Sequence, residues 1–317
     1  MKFLKNICCV SGLLLLFLAG SCKKNKQTAT IVPNDPPGSP PKTWQEHWGG
    51  PHTFLLNRVY FDSDVAVYYD PSMDRTVTWP FKTMSDTWKY VKKTYGAFGD
   101  SARLYVVMHG ISTPFEEVLG GGHPASYFDE SHDYRNAIDC GLDDWKYPTG
   151  QQIGIPIHET GHIVCGANNG VKGSPSDVLW GDSKFMEIYN YDVLMNIGRQ
   201  DEAARVYDQL KAQVDTFPRA GSQWFKNWFY PIYSKYGHAA VLSKYFKLLA
   251  ANYPKMPNPH GAEYTQNLNW GEFVHFWSGA TGDNMKAQAT FAFGWTDEWE
   301  QQFRQAQKDF PNVKYTY

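Results

Sequence analysis

The chain has 317 residues, a formal net charge of −2 at pH 7 and an aromatic content of 16%. That length supports one large domain, or one domain with two lobes. The near-neutral charge and the lack of a basic patch or nucleic-acid-binding motif in the sequence indicate no nucleic-acid partner. The aromatic excess is compatible with surfaces that bind extended peptides or sugars.

The N-terminal segment predicts export. Lys2 and Lys5 precede an apolar run at residues 7–18, which is too short to span a bilayer and is typical of a signal peptide. Leu18-Ala19-Gly20-Ser21-Cys22 resembles a bacterial lipobox, which implies a signal peptide over 1–21 and acylation of Cys22. The protein would then be anchored to the outer membrane or cell surface, with its body facing the periplasm or exterior. An ordinary cleaved secretory signal is the alternative.

Residues 22–51 predict a tether between anchor and body. They are rich in Lys, Pro, Thr and Gly, a composition that buries too little apolar area to fold. The body should therefore span 52–317, with a sheet lobe at about 52–170 and a helical lobe at 171–317.

The first part of the body has the pattern of a mixed sheet. Residues 65–69, 104–108 and 134–140 are β-type runs, and residues 85–95 have helical spacing of apolar side chains. The glycine-rich bend Gly120-Gly121-Gly122-His123 predicts a mobile loop near the edge of this sheet.

The central motif is His158-Glu159-Thr160-Gly161-His162. On an α-helix, residues four apart share a face, so both imidazoles can bind one Zn²⁺ with Glu159 beside them as a general base. The motif resembles the active helix of the zincin metallopeptidases, and this resemblance implies a zincin-like upper lobe. Two core histidines and a surface glutamate would be the purely structural interpretation.

The third zinc ligand must come from elsewhere. Cys165 and Asn168 stand where the metzincin pattern has glycine and histidine, so that subgroup does not fit. The gluzincin pattern takes a glutamate from a following helix, and Glu187 matches it, at a spacing similar to that of enhancin-like, mucin-directed peptidases. A structural ion pair is the alternative role for Glu187, and Asp177 and Asp182 are rival ligands.

Tyr191 lies one turn after Glu187, so its hydroxyl is a candidate catalytic donor near the metal. The alternative is that Tyr191 is a core tyrosine.

Cys140 and Cys165 could form a disulfide or remain free thiols. Helical patterns dominate after Glu187, so we expect an α+β fold with a helical C-terminal lobe. The predicted helices span residues 183–197, 201–216, 224–235, 239–252, 270–279 and 296–309.

These features predict a lipid-anchored zinc peptidase, monomeric, that hydrolyses a protein or glycoprotein substrate with zinc-activated water. A surface lipoprotein of zincin fold that binds polypeptide or glycan without turnover is the alternative function.

Overall fold

A six-stranded mixed β-sheet forms the first half of the body. The computed structural model describes residues 35–50, 52–99, 103–111 and 121–316, and residues 40–317 belong to one compact unit. The strands are β1 (Thr43–Gln45), β2 (Leu55–Phe61), β3 (Val65–Tyr69), β4 (Leu104–Gly110), β5 (Gly122–Ala125) and β6 (Asn136–Asp143). Helix α1 (Trp79–Tyr95) connects β3 to β4.

The strand order across the sheet is β1-β2-β3-β4-β6-β5. The three central strands β3, β4 and β6 run parallel, whereas β1, β2 and β5 pair antiparallel with their neighbours. All residues of β3 and β4 are buried, which is typical of central strands covered on both faces. The three predicted β-type runs correspond to these three central strands.

Two sequence expectations about the edges of the sheet were wrong. Strand β1 lies inside the predicted tether, and Trp44 in its centre is 4% exposed. The body therefore begins about ten residues before the predicted boundary. Gly122 and His123 begin the edge strand β5 instead of a mobile loop.

Helix α2 (Gln151–Ala167) carries the central motif and packs on one face of the sheet. Its apolar side chains, including Ile153, Ile157 and Val164, are buried in the main core. A Cβ at Gly161 would lie 2.5 Å from the sulfur of Met186. The absence of a side chain at Gly161 therefore allows α2 to approach the helix that contains Met186 closely.

The second half of the body is mainly helical. Its helices are α3 (Asp177–Trp180), α4 (Lys184–Asn196), α5 (Gln200–Leu210), α6 (Tyr230–Lys235), α7 (Ala239–Asn252), α8 (Trp270–Thr281), α9 (Lys286–Phe293) and α10 (Asp297–Asp309). Strands β7 (Val171–Lys172), β8 (Lys255–Asn258) and β9 (Gly261–Tyr264) form a small second sheet. The predicted α+β class is confirmed.

Helices α4, α7, α8 and α10 agree with the predicted bounds to within two residues, whereas α5 ends at Leu210, six residues before its predicted end. The Asn269 side chain caps α8 by accepting a hydrogen bond from the Glu272 backbone N–H. The Glu272 carboxylate in turn accepts a hydrogen bond from the Asn269 backbone N–H. The sequence analysis missed α9. It also missed the β8–β9 hairpin, because the prolines at 254, 257 and 259 were interpreted only as breaks.

The two cysteines of the body are buried free thiols, so the disulfide alternative is not realised. The predicted signal peptide and the lipidation residue Cys22 lie outside the described residues. Within the described residues, no helix is long and apolar enough to cross a membrane.

Candidate metal centre

His158 and His162 lie together on α2 and face the same side. Their Nε2 atoms are 3.0 Å apart, and their ring centroids are separated by 4.8 Å. Two ligand atoms bound to one tetrahedral zinc ion lie about 3.3–3.4 Å apart, because each is about 2.0–2.1 Å from the metal. The two imidazoles are therefore spaced as two ligands of one ion.

Asp182 places a carboxylate oxygen, a third potential ligand atom, next to this pair. It lies between α3 and α4, and its Oδ1 is 3.3 Å from Nε2 of His162. The ligand atoms of His158, His162 and Asp182 all lie within 4.8 Å of one another. The side chain of Asp182 is 81% exposed, so the centre opens to solvent on this side. Two imidazole nitrogens and one carboxylate oxygen are a donor set that zinc accepts, with a fourth position left for water.

Burial holds both histidines in the form that binds metals. It lowers the pKa of His158 to about 4, with a further contribution from the neighbouring His162. Burial also lowers the pKa of His162, although Asp182 opposes this change. Both imidazoles are therefore neutral at pH 7 with a ring nitrogen available as a ligand.

Glu159 is buried beside the pair and is only 5% exposed. Burial raises the pKa of its carboxyl group to about 8, and the charges of Asp182 and Asp139 act in the same direction. A carboxylate whose proton affinity is raised in this way is suited to take and release a proton near neutral pH.

Gly122 of the edge strand leaves space for the Glu159 carboxylate. A Cβ at Gly122 would lie 2.8 Å from Cγ and 2.8 Å from Oε1 of Glu159. The sequence analysis missed this contact, because nothing local in a glycine-rich stretch indicates which side chain lies against it.

Gly122→Ala is expected to lower any turnover at this centre by about 10²-fold, the size of effect that a misplacement of about 1 Å can have. The new methyl group would displace the Glu159 carboxylate, because the three atoms nearest to this Cβ all belong to the Glu159 side chain. Steady-state kinetics and metal analysis on the same samples would separate the two effects.

Gly166→Ala is the matched control for that variant. Gly166 lies in α2 and lines the same cavity as His162, and a Cβ there would meet no atom within 4 Å. We expect unchanged kcat and metal content. Wild-type kcat in Gly122→Ala would show that the position of Glu159 does not matter for turnover.

The structure does not bring Glu187 to the histidine pair. Its Oε1 accepts from Lys184 Nζ and from Gln213 Nε2, at 2.8 Å each. Among the described residues, the group of potential ligands around His158 and His162 contains Asp182 and not Glu187. Glu187 lines a cavity with His158, and its Oε2 is buried without a hydrogen-bond partner. The arrangement corresponds to the ion-pair alternative for Glu187. It also places Asp182, one of the two rival aspartates, beside the histidines.

Tyr191 lies in an aromatic cluster and not beside the histidines. Its ring is 5.7–6.1 Å from those of Tyr207, Phe225, Tyr230 and Tyr233, and burial raises its pKa to about 12. Tyr191 does not line the cavity next to His162 or the cavity next to His158. These contacts correspond to the alternative interpretation of Tyr191, a tyrosine packed in the core.

Strand β5 contacts α2 and lines a cavity next to His162. It pairs with β6 on one side and is the last strand of the sheet on the other. Pro124, Ala125 and Ser126 line a cavity of about 230 Å³ together with His162. An extended peptide can add to such an edge by backbone hydrogen bonds.

Comparisons with known proteins leave the family open. No family model and no curated protein matches the chain. One solved structure, that of a functionally unknown conserved protein from Bacillus anthracis str. Ames, is similar, with 12% identity and a TM-score of 0.47. The alignment covers 77% of this chain and half of that protein's chain.

Proposed function

We propose that this protein is a zinc-dependent peptidase whose metal is held by His158, His162 and Asp182. The observation that carries the proposal is the convergence of these three ligand atoms within 4.8 Å of one another, next to a buried glutamate. Two observations favour Asp182 over the sequence-predicted Glu187: Asp182 lies 3.3 Å from His162, and Oε1 of Glu187 pairs with Lys184.

Each part of the site has a task in peptide hydrolysis. Bound zinc would lower the pKa of a water molecule and polarise the scissile carbonyl group. Glu159 takes the proton of the attacking water and passes it to the leaving amine. The outer edge of β5, which pairs with no further strand among the described residues, aligns the substrate backbone, so that the peptide lies extended beside His162.

The position of Glu159 favours catalysis over metal binding alone. A purely structural zinc site is closed by four protein ligands. Here the three ligands leave one position open, and Asp182 is largely exposed. A proton acceptor adjacent to an open metal position is the arrangement that hydrolysis requires.

The proposal is tested with an unbiased peptide library and the full-length protein loaded with zinc. Mass spectrometry should detect cleavage products, which disappear after treatment with a zinc chelator and return when zinc is restored. Lack of cleavage by fully zinc-loaded protein across folded proteins, glycoproteins and peptides would favour the binding lipoprotein instead.

A further inference from the structure

A second group of potential metal ligands lies on the opposite face of the sheet from α2. Glu46 follows β1, His52 precedes β2, His109 lies near the end of β4 and Asp139 lies within β6. Along β4, His109 follows Tyr105 and Val107 at alternate positions, and both of these residues belong to the small core on this face. These four residues, here called the sheet cluster, are therefore separate from the centre on α2.

The ligand atoms of the sheet cluster converge on one point. Nε2 of His109 is 3.2 Å from Oε1 of Glu46 and 3.0 Å from Oδ1 of Asp139. Nδ1 of His52 is 3.2 Å from Oδ2 of Asp139. One ligand atom from each of the four residues lies within 4.8 Å of the others. These separations are close to the edge of about 3.3 Å expected for a tetrahedral ion with nitrogen and oxygen ligands.

The contacts within the cluster are ion pairs that lack good hydrogen-bond geometry. Oε1 of Glu46, Nε2 of His109 and Nδ1 of His52 are buried without a hydrogen-bond partner. The side chains of Glu46 and His109 are 0% exposed, and that of Asp139 is 3% exposed. One imidazole nitrogen carries at most one proton, yet Nε2 of His109 faces two carboxylate oxygens. Buried polar atoms of this kind normally have partners.

Surrounding groups orient the ligands from outside. Asp70 lies 3.1 Å from Nδ1 of His109, so that Nε2 is directed toward the cluster. Trp48 donates its indole N–H to Oδ2 of Asp139, and the Phe54 amide donates to Oε2 of Glu46. A carboxylate behind a histidine and hydrogen bonds to the ligand carboxylates are typical of the groups around a metal site.

The local charge also favours a cation. Three carboxylates, those of Glu46, Asp70 and Asp139, lie around His109. Their ion-pair partners in these contacts are the imidazoles of His109 and, for Asp139, also of His52. A protonated His109 would offset only one of the three negative charges. Buried charges are costly unless they are paired or bound to a metal, and a divalent ion would supply the missing positive charge.

We propose that the sheet cluster binds a second divalent transition-metal ion, which fastens Glu46 and His52 to strands β4 and β6. Two imidazole nitrogens and two carboxylate oxygens suit zinc and its first-row neighbours. Four protein ligands leave no open position, so the role of the ion is structural. The inference goes beyond the proposed peptidase activity and does not depend on it.

The test uses the full-length protein with both α2 histidines replaced, His158→Ala/His162→Ala, which leaves the sheet cluster intact. Protein is stripped with a chelator, loaded with ZnCl₂ or with MnCl₂, dialysed and analysed by mass spectrometry for metals. We expect about two zinc ions per chain in the wild type and about one in the double variant. The remaining ion should raise the melting temperature of the double variant. A folded double variant that binds neither zinc nor manganese would overturn the proposal, even if the wild type is an active peptidase.

Two further substitutions, each made in the double variant, locate the ion. Glu46→Gln and His52→Ala should each lose the remaining metal ion. The His52→Ala substitution is less disruptive to the fold, because the His52 side chain is 14% exposed. His47→Ala is the matched control, since His47 is a neighbouring, 46% exposed histidine that pairs with Asp133. It should retain the ion. Full retention in a folded His52→Ala variant, or loss in His47→Ala alone, would contradict the assignment.

Discussion

Glu159→Gln is expected to lower peptide hydrolysis by at least ~10²–10⁴-fold, the usual contribution of a general acid–base group. Glu159 is buried next to His158, with its carboxylate against the edge strand at Gly122. Glutamine has nearly the same shape but cannot accept a proton from the attacking water. The fold and the metal content should therefore stay at wild-type levels while kcat falls.

The measurement needs kinetics and metal analysis on the same preparations. A binding lipoprotein predicts no cleavage by either form and equal ligand affinity in both. Equal, measurable peptidase activity in wild type and Glu159→Gln would contradict the mechanism. Loss of zinc together with activity would instead indicate that Glu159 holds the metal or supports its site.

Local signals in the sequence were sufficient for the helix that carries the motif. The spacing of His158 and His162 fixes their relation on any α-helix, and the structure places their nitrogens 3.0 Å apart. Strands β3, β4 and β6 were also predictable, because buried parallel strands consist of continuous apolar runs. The α+β class follows from the order of these elements.

The parts that depend on distant contacts could not be predicted in the same way. Strand β1 has a tether-like composition, but Trp44 is buried against Tyr68 and Tyr105 of the sheet. Tertiary packing here overrides composition. His109 lacks any ligand spacing in the sequence, and only the pairing of β4 with β6 brings it to Asp139.

The third ligand illustrates the same limit. A single acid in an apolar helix indicates that Glu187 needs a partner, but not which one. That partner is Lys184, three residues earlier on the same helix. Asp182 meets His162 only because the turn between α3 and α4 returns the chain to α2, a relation that no local pattern encodes.

Asp182→Asn is expected to weaken zinc binding at the α2 centre by at least about 100-fold, since even partners outside the ligand shell contribute 10–100-fold. The amide keeps the size of the side chain but removes the charge that favours Zn²⁺. Glu187→Gln should keep the metal and lose about 1–3 kcal/mol of unfolding free energy, because it weakens a buried contact to a charged group. The matched pair therefore separates ligation from fold stability.

Competition with a zinc-binding dye measures the affinity, and urea unfolding of the metal-free protein measures stability. Both variants should be made with His52→Ala, so that the sheet cluster does not contribute a second ion. Asp182 has few other roles to lose, because its side chain is 81% exposed, whereas Glu187 is held by Lys184 and Gln213. Stoichiometric zinc in Asp182→Asn together with loss of zinc in Glu187→Gln would return the third-ligand role to Glu187. In that case Lys184 would have to release the Glu187 carboxylate when zinc binds and pair with Asp215 alone.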